Sequence, residues 1–314
     1  MVKNINMESV NPKFSILIST KNRVEDLKYT LEKIENLIEK ADVECVIYDD
    51  GSNDGTFEFI KQNFPQVVLL RNDISKGYIY CRNKMLNETN ADFAISLDDD
   101  AHFLSENPLE IIEDYFLKNA RCGLLAFRIF WGKNKPDYLE TEENPVQVKG
   151  FVGCGHAWRM DSWRKIPNYP EWFVFYGEEE FASCQLFKKN IEIHYLPQVL
   201  VQHRVDILSR KTKADYRLRL RRSLRSGWYL YFLFYPINLI PKFLLYTVWI
   251  QVRNKTLKGD IKATLAIIQA ISDVFINLPK LITQSNRLSS QQYHKYSHLP
   301  NSKIYWKPKN ERKN

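Results

Sequence analysis

Glycine is scarce in this chain, with 11 in 314 residues, and none lies between positions 15 and 25. The loop after the first apolar segment is therefore not a glycine-rich phosphate cradle. Cysteine is sparse as well: Cys45, Cys81, Cys122, Cys154 and Cys184 stand singly, without a C-x-x-C pair or a histidine at zinc-finger spacing. That excludes a disulfide framework and a zinc finger, and isolated thiols are expected to stay reduced. The opening MVKNINMESVNPK has no apolar core, so no signal peptide is expected and the chain is placed in the cytoplasm. Internal repeats and low-complexity tracts are missing. So is a recognisable nucleic-acid-binding module, and no nucleic-acid partner is expected. Acidic residues almost run out after position 206: Ile207–Asn314 holds 21 Lys+Arg against 4 Asp+Glu, whereas residues 1–206 hold 24 against 33.

What remains has the composition of a folded protein, 44% hydrophobic and 26% charged, and is long enough for one large or two modest domains. The first hundred residues alternate between two periodicities. Phe14–Ser19 is a short apolar run and reads as a strand. Val24, Leu27, Leu31, Ile34, Leu37 and Ile38 recur at helical spacing. Val43–Tyr48 is a second strand, and a helix near 55–63, a strand at Val67–Leu70, a helix near 78–88 and a strand at 92–97 follow. Such alternation predicts an α/β fold with a mostly parallel sheet and helices on both faces. Beyond residue 120 the pattern turns more β-like (124–131 and 146–158), with a Gly-containing stretch Gly150–Gly155. A helix from Glu178 to about Lys189, a strand at 191–196 and a segment at 199–201 complete this part. The domain boundary is placed at 210/211.

In a parallel sheet, ligands bind beyond the carboxyl ends of the strands. Three polar clusters fall there: Ser19-Thr20-Lys21-Asn22-Arg23, Asp49-Asp50-Gly51-Ser52 and Asp98-Asp99-Asp100. Three consecutive carboxylates repel one another and lose hydration, a situation that a divalent cation relieves. Asp98 and Asp100 leave an extended chain on the same side, so one can reach a sugar while the other holds a metal. Each cluster alone has an ordinary explanation. Asp49–Ser52 reads as a turn and helix cap, Glu178–Glu180 as a solvated helix start, and His203 as a surface or core residue.

Together the segments resemble family 2 glycosyltransferases. The resemblance rests on Phe14–Arg23 (FSILISTKNR), Tyr48–Thr56 (YDDGSNDGT), Gly77 with Arg82-Asn83, Leu97–Asp100 (LDDD), Gly177-Glu178-Glu179 and a closing His203, over about residues 13–206. It implies a GT-A nucleotide-diphospho-sugar transferase fold, Rossmann-like in its N-terminal half. It also implies inverting transfer of a sugar from a nucleotide-sugar (a UDP- or dTDP-sugar) to a hydroxyl of a glycan or lipid-linked acceptor, in cell-surface polysaccharide biosynthesis. By the same resemblance Thr20, Asn22, Arg23, Asp50, Ser52, Gly77, Arg82, Asp98 and Asp99 contact the donor. Asp50 takes the uracil and Asp98 the ribose side, while Asp100 and His203 hold Mg²⁺ or Mn²⁺. Glu179 stands where the family has the Asp of its Glu-Asp base motif, and Glu178 competes for that role. The helix after them lacks the family's usual Asp-Leu-x-x-Arg.

The chemistry makes its own demands. A sugar diphosphate leaves only when its charge is neutralised, which a cation held by hard oxygen ligands achieves. The acceptor hydroxyl needs a carboxylate to take its proton. His156 is a further candidate contact for the diphosphate or the acceptor, or simply a ring packed beside Trp158. Two other readings stand beside the transferase. A sugar nucleotidyltransferase would want glycines in the first loop. A catalytically inactive membrane scaffold would not need Asp100 and Glu179 intact.

In the last third, Arg217, Arg219, Arg221, Arg222 and Arg225 precede the aromatic run Trp228–Tyr235, and Pro236, Pro241 and Lys242 interrupt the apolar stretch before Phe243–Ile250. An uninterrupted apolar span of about 20 residues is lacking. The expectation is a helical extension peripheral on the inner face of the cell membrane, with aromatic wedges and basic residues against anionic lipid. Core helices or a spanning hairpin are the alternatives.

Overall fold

The structure is a computed structural model and describes residues 11–137, 139–205 and 214–306. Its first half alternates as expected: β1 (Phe14–Thr20), α1 (Val24–Ile38), β2 (Val43–Asp49), α2 (Thr56–Asn63), β3 (Val68–Arg71), α3 (Tyr78–Glu88) and β4 (Phe93–Asp98). β1 lies between β2 and β4, parallel to both, and β3 continues the parallel set beyond β2. A strand buried on both faces needs a nearly continuous apolar run, and Phe14–Ile18 supplies it. The stripe Leu27, Leu31, Ile34, Leu37 and Ile38 of α1 is buried against this sheet.

The second half widens the sheet and mixes its directions. It contains β5 (Ala101–Phe103), α4 (Pro108–Lys118), β6 (Cys122–Trp131), β7 (Val146–Val148), β8 (Gly155–Arg159), α5 (Met160–Trp163), α6 (Glu178–Lys188) and β9 (Glu192–His203). Among the described residues the strand order is β3-β2-β1-β4-β8-β6-β9-β5. β8 runs antiparallel to both β4 and β6, so the purely parallel part ends at β4. The segments expected at 191–196 and 199–201 form one strand, β9. Its register with β6 jumps from Phe127↔Leu196 to Arg128↔Leu200. Pro197 has no N–H for the ladder, and the strand bulges there instead of ending.

After the expected boundary at 210/211, which lies outside the described residues, come α7 (Tyr216–Phe234), α8 (Ile240–Asn254), α9 (Ile261–Thr283) and α10 (Ser290–His298). β10 (Ile304–Trp306) then pairs with β6. Here the structure corrects the sequence reading. Trp228, Tyr229, Leu230, Leu233 and Phe234 are almost completely buried, in one core with Trp163, Tyr169, Phe173 and Leu186 of the sheet domain and Ile267, Ala270 and Val274 of α9. They are not membrane wedges. The reason is the fixed rotation of α7. Arg221 pairs bidentately with Asp273, and Arg225 donates to the carbonyl of Phe173 (2.6 Å), which turns the aromatic face inward.

The outer faces of α8 and α9 do carry exposed apolar residues. On α9, Ile261, Leu265, Ile268, Phe275, Ile276 and Ile282 are 45–75% exposed, and their spacing keeps them on one side of the helix. Leu245, Tyr246 and Trp249 do the same on α8. By length and composition α9 is able to cross a membrane, but its other face (Ala263, Ala266, Ile267, Ala270 and the paired Asp273) is packed into the core.

Candidate active site

Strand pairing brings the three polar clusters to one sheet edge, because Thr20 lies opposite Asp49 and Ser19 opposite Asp98. The loops after β1 and β2 are clipped together: the Asn22 N–H donates to Ser52 Oγ (2.9 Å) and the Asn53 N–H to Asn22 Oδ1 (2.8 Å). Asn22 holds a left-handed φ of 53°, which asparagine tolerates. Asn22 and Ser52 thus brace the loops and do not face the cleft described below.

Asp50 is a hub. Its carboxylate accepts from Ser75 Oγ (2.6 Å), the Lys76 N–H (2.8 Å), the Gly77 N–H (2.9 Å) and Asn72 Nδ2 (2.8 Å). Burial opposes its ionisation, but these donors outweigh burial and lower its pKa. Four donors use the acceptor positions of a carboxylate, so a nucleobase N–H would have to share one of them. Gly77, at φ 101°, turns the chain so that its N–H reaches Asp50 and α3 can begin.

The aspartate run divides as strand alternation requires. Asp99 accepts from Thr20 Oγ1 (2.9 Å) and lies 3.3 Å from Arg23 Nε. Burial, partly offset by Arg23, pushes its pKa up to about 7. Asp98 and Asp100 both turn toward His203, whose Nε2 is 3.8 Å from Asp98 and 3.0 Å from Asp100. One ligand atom from each of these three residues lies within 4.8 Å of the others, a candidate metal site. Arg23 binds the remaining oxygen of Asp100 at 2.6 Å. Burial opposes ionisation of Asp100, yet His203 and Arg23 prevail and hold it below the ordinary carboxylate range.

Arg82 is buried. It donates to Asp98 Oδ1 (2.8 Å) and to the Gly153 carbonyl (2.8 Å), and its guanidinium lies over the Tyr78 ring. The Tyr78 hydroxyl binds the same Asp98 oxygen at 3.0 Å. Arg82 therefore positions Asp98 from behind, and no atom of it lines the cleft.

Glu178, Glu179 and Glu180 open α6 after a strained approach. Val174 and Tyr176 have φ of 68° and 69°, and for β-branched Val174 this is a costly conformation. Gly177, at φ 88°, meets Phe173 and Ser226 so closely that a Cβ would lie 3.1 Å from each. A Cβ on Gly153 would lie 2.7 Å from Glu179 Oε1, so that glycine makes room for the carboxylate. Burial, then the charge of Glu179, raises the pKa of Glu178; burial likewise raises that of Glu179.

A cleft of about 1330 Å³ joins these parts. Of the expected donor, metal and base residues, Thr20, Arg23, Asp50, Gly77, Asp98, Asp99, Glu178, Glu179 and His203 line it, while Asn22, Ser52, Arg82 and Asp100 support from behind. His156 is fully buried against Phe151 (4.5 Å between ring centroids) and is not among the cleft-lining residues, and burial holds it neutral.

The sequence profile described as Glycosyl transferase family 2 matches residues 15–184, more than half of the chain. The chain belongs to glycosyl transferase family 2. Its fold is that of the GT-A glycosyltransferases. It is similar to GalNAc-T7 in a structure with UDP, GalNAc and Mn²⁺ (12% identity, TM-score 0.59, 87% of this chain and 58% of that one). It is also similar to Staphylococcus aureus TarS 1–349 (15%, 0.52, 87% and 83%) and to the mannosyltransferase PcManGT of Pyrobaculum calidifontis with GDP-Man and Mn²⁺ (13%, 0.50, 92% and 79%). The chain thus spans less than two-thirds of the length of the first of these. No curated protein sequence matches it. Family membership sets aside the nucleotidyltransferase reading.

This glycosyltransferase also uses residues that sequence reasoning passed over. Tyr78 orients Asp98 together with Arg82, which the sequence suggests as a donor contact, and the Gly150–Gly155 stretch was the visible signal for the clearance at Gly153. Tyr235, Tyr293 and Tyr296 of the C-terminal helices also line the cleft, beyond the matched segment; Tyr235 closes the aromatic run expected at a membrane, and no local pattern marks the other two.

Proposed function

We propose that this glycosyltransferase moves a sugar, with inversion, from a UDP- or dTDP-sugar to a hydroxyl of a glycan or lipid-linked acceptor in cell-surface polysaccharide biosynthesis. The observation that carries the reading is a single cleft lined by the Asp98–His203 cluster and by an acidic helix start. Two carboxylates and one imidazole, with one ligand atom of each within 4.8 Å of the others, suit Mg²⁺ or Mn²⁺ held by Asp98, Asp100 and His203. When bound, such a cation neutralises charge on the leaving diphosphate. Arg23, already on Asp99 and Asp100, adds positive charge at the same wall.

Glu179 is the proposed base. It is half-open to the cleft and has clearance at Gly153, whereas Glu178 is 4% exposed. Its carboxylate takes the proton of the acceptor hydroxyl as that oxygen bonds to the anomeric carbon. The bond from that carbon to the diphosphate oxygen breaks on the opposite side, which inverts the configuration. A pKa raised by burial suits a base working near neutral pH. The exposed apolar faces of α8 and α9, flanked by Lys242, Arg253, Lys258 and Lys262, support a position on an anionic membrane surface at the inner face of the cell membrane.

Thermal shift with UDP-, dTDP- and GDP-sugars, each with and without Mn²⁺, tests the donor. A specific ligand at 100-fold over its dissociation constant adds about 2.7 kcal/mol. Stabilisation by one nucleotide-sugar that disappears with chelator is the expected result. No stabilisation by any of them, or a product retaining the donor's anomeric configuration by NMR, would overturn the reading.

A further inference from the structure

Asp100 and His203 come from distant parts of the chain, and their sequence neighbours tie those parts together. β5 and β9 pair antiparallel, with Ala101 opposite His203, and the Arg204 N–H donates to the Asp100 carbonyl (2.9 Å). The Arg204 side chain closes the arrangement from behind. Its Nη1 donates to Nδ1 of His102 (2.7 Å), 102 residues away in sequence. Its Nη2 donates both to the Asp26 carbonyl (2.8 Å) and to Thr30 Oγ1 (2.8 Å). Thr30 is fully buried and carries the connection further, since its own hydroxyl donates to the Asp99 carbonyl (2.7 Å). The guanidinium also lies over the Tyr29 ring, 4.5 Å from its centroid. Arg204 therefore joins the N-terminal half of α1, the aspartate run and the end of β9. Neither Arg204 nor Thr30 lines the cleft.

Without an ion, Asp98 and Asp100 repel each other, so ligand atoms that must stay within 4.8 Å need a brace from outside the cluster. A guanidinium suits that task because its planar fork fixes several acceptors at once, which the ammonium of a lysine does not reproduce. We infer that Arg204, acting with Thr30, is a positioning residue that holds the Asp100 carboxylate and the His203 ring in their ion-binding arrangement before an ion arrives. The part concerning the ion rests on the metal reading above, but the cross-link between the two segments does not. Arg204 lies beyond the segment matched by the family profile.

Two measurements on the full chain test this. In the ion-free protein, hydrogen exchange of peptides covering 98–103 and 199–205 is read relative to the β1 peptide, because a loss of overall stability speeds all of them alike. Arg204→Lys and Thr30→Val should each raise that ratio about tenfold, and Thr30→Ser, which keeps the hydroxyl, should leave it within about twofold. Mn²⁺ alone is then titrated by electron paramagnetic resonance. Arg204→Lys should weaken Mn²⁺ by roughly 10–100-fold, the range for groups that orient a metal ligand. Arg159→Lys should leave it unchanged, since Arg159 donates to the carbonyls of Phe116, Asn119 and Cys122 and does not line the cleft. Folding is checked by circular dichroism, and if Arg204→Lys does not fold, Thr30→Val against Thr30→Ser decides. An unchanged exchange ratio in the folded variants, wild-type Mn²⁺ affinity in folded Arg204→Lys, or an equal loss in Arg159→Lys overturns the positioning role. A wild type that binds no Mn²⁺, with the exchange ratios as expected, would sink the metal reading and keep the cross-link.

Discussion

The sheet domain and the C-terminal helices treat their apolar surface differently. In the former, large exposed hydrophobics such as Tyr29, Ile74 and Leu117 are scattered, as on most soluble proteins. In the latter they line up along α8 and α9, in a stretch (237–283) whose acidic residues are only Asp260 and the buried, paired Asp273. α7 and α10 line the cleft, while the inner faces of α8 and α9 pack on the core and their opposite faces stay uncovered beside positive charge. Aligned exposed apolar residues are the pattern expected of an interaction surface, and the membrane position proposed above rests on it. Amino-acid type alone does not tell the two faces apart: Trp228 and Trp249 are both helical tryptophans near basic residues, and one is 2% and the other 54% exposed.

Substitutions on the two sides break this comparison or sharpen it. The largest effect belongs to the sheet side. Glu179→Gln should lower transfer by roughly 10²–10⁴-fold, the range for a lost general base, with donor affinity preserved. Glu178→Gln should cost less, and rate measurements giving the reverse order would move the proton to Glu178. Next comes the core face of the helices. Trp228→Ala removes a buried ring and its bond to Thr247 (3.0 Å), and should cost about 3–5 kcal/mol in denaturant unfolding. A cost under about 1 kcal/mol would mean that α7 is not part of the core.

The outer face should behave in the opposite way. Trp249→Ser with Phe275→Ser should leave unfolding within about 0.5 kcal/mol per site but reduce binding to phosphatidylserine vesicles at least tenfold. High salt should release the wild type only partly, since it screens the basic residues and not the apolar strip. Vesicle binding equal to the wild type in that double variant would remove the strip from membrane contact. The smallest effect concerns pH. The raised pKa of Glu179 means that the base is lost as pH falls through a value above that of an ordinary glutamate. Asp50, with a lowered pKa, contributes stability above its unfolded value near 3.8 and loses it only as pH falls through its lower folded value. On acidification, activity should therefore decline before the melting temperature does. A simultaneous decline would tie both to one titration.

Much of the site was legible because its groups sit in local patterns. An apolar run ending in Ser-Thr or Asp-Asp announces a strand whose polar end lies at a sheet edge, and β1, β2 and β4 obey it. Arg82 was not legible in its true role: a buried arginine behind Asp98 depends on the Gly153 carbonyl, 71 residues away, and on the Tyr78 ring. The antiparallel insertion of β8 and the passage of β9 through Pro197 are likewise decided by neighbours. The inward turn of Trp228–Phe234 hangs on the Arg221–Asp273 pair, which joins residues 52 apart. Tertiary partners override composition in each case.

The first turn of α8 belongs to both sides of the comparison. Phe243 packs on Tyr235 (5.3 Å) and Tyr293 (6.2 Å) at the rim of the cleft, while Leu245, Tyr246 and Trp249 of the same helix point outward. A molecule resting on a bilayer through that helix would hold the mouth of its cleft at the height of lipid head groups. Its acceptors would then be met by lateral diffusion in two dimensions, at an effective concentration set by their mole fraction in the sheet of lipid. Turnover of a lipid-borne acceptor would slow on dilution with inert lipid even when the amount in the tube is unchanged, whereas a water-soluble glycoside would be indifferent to it.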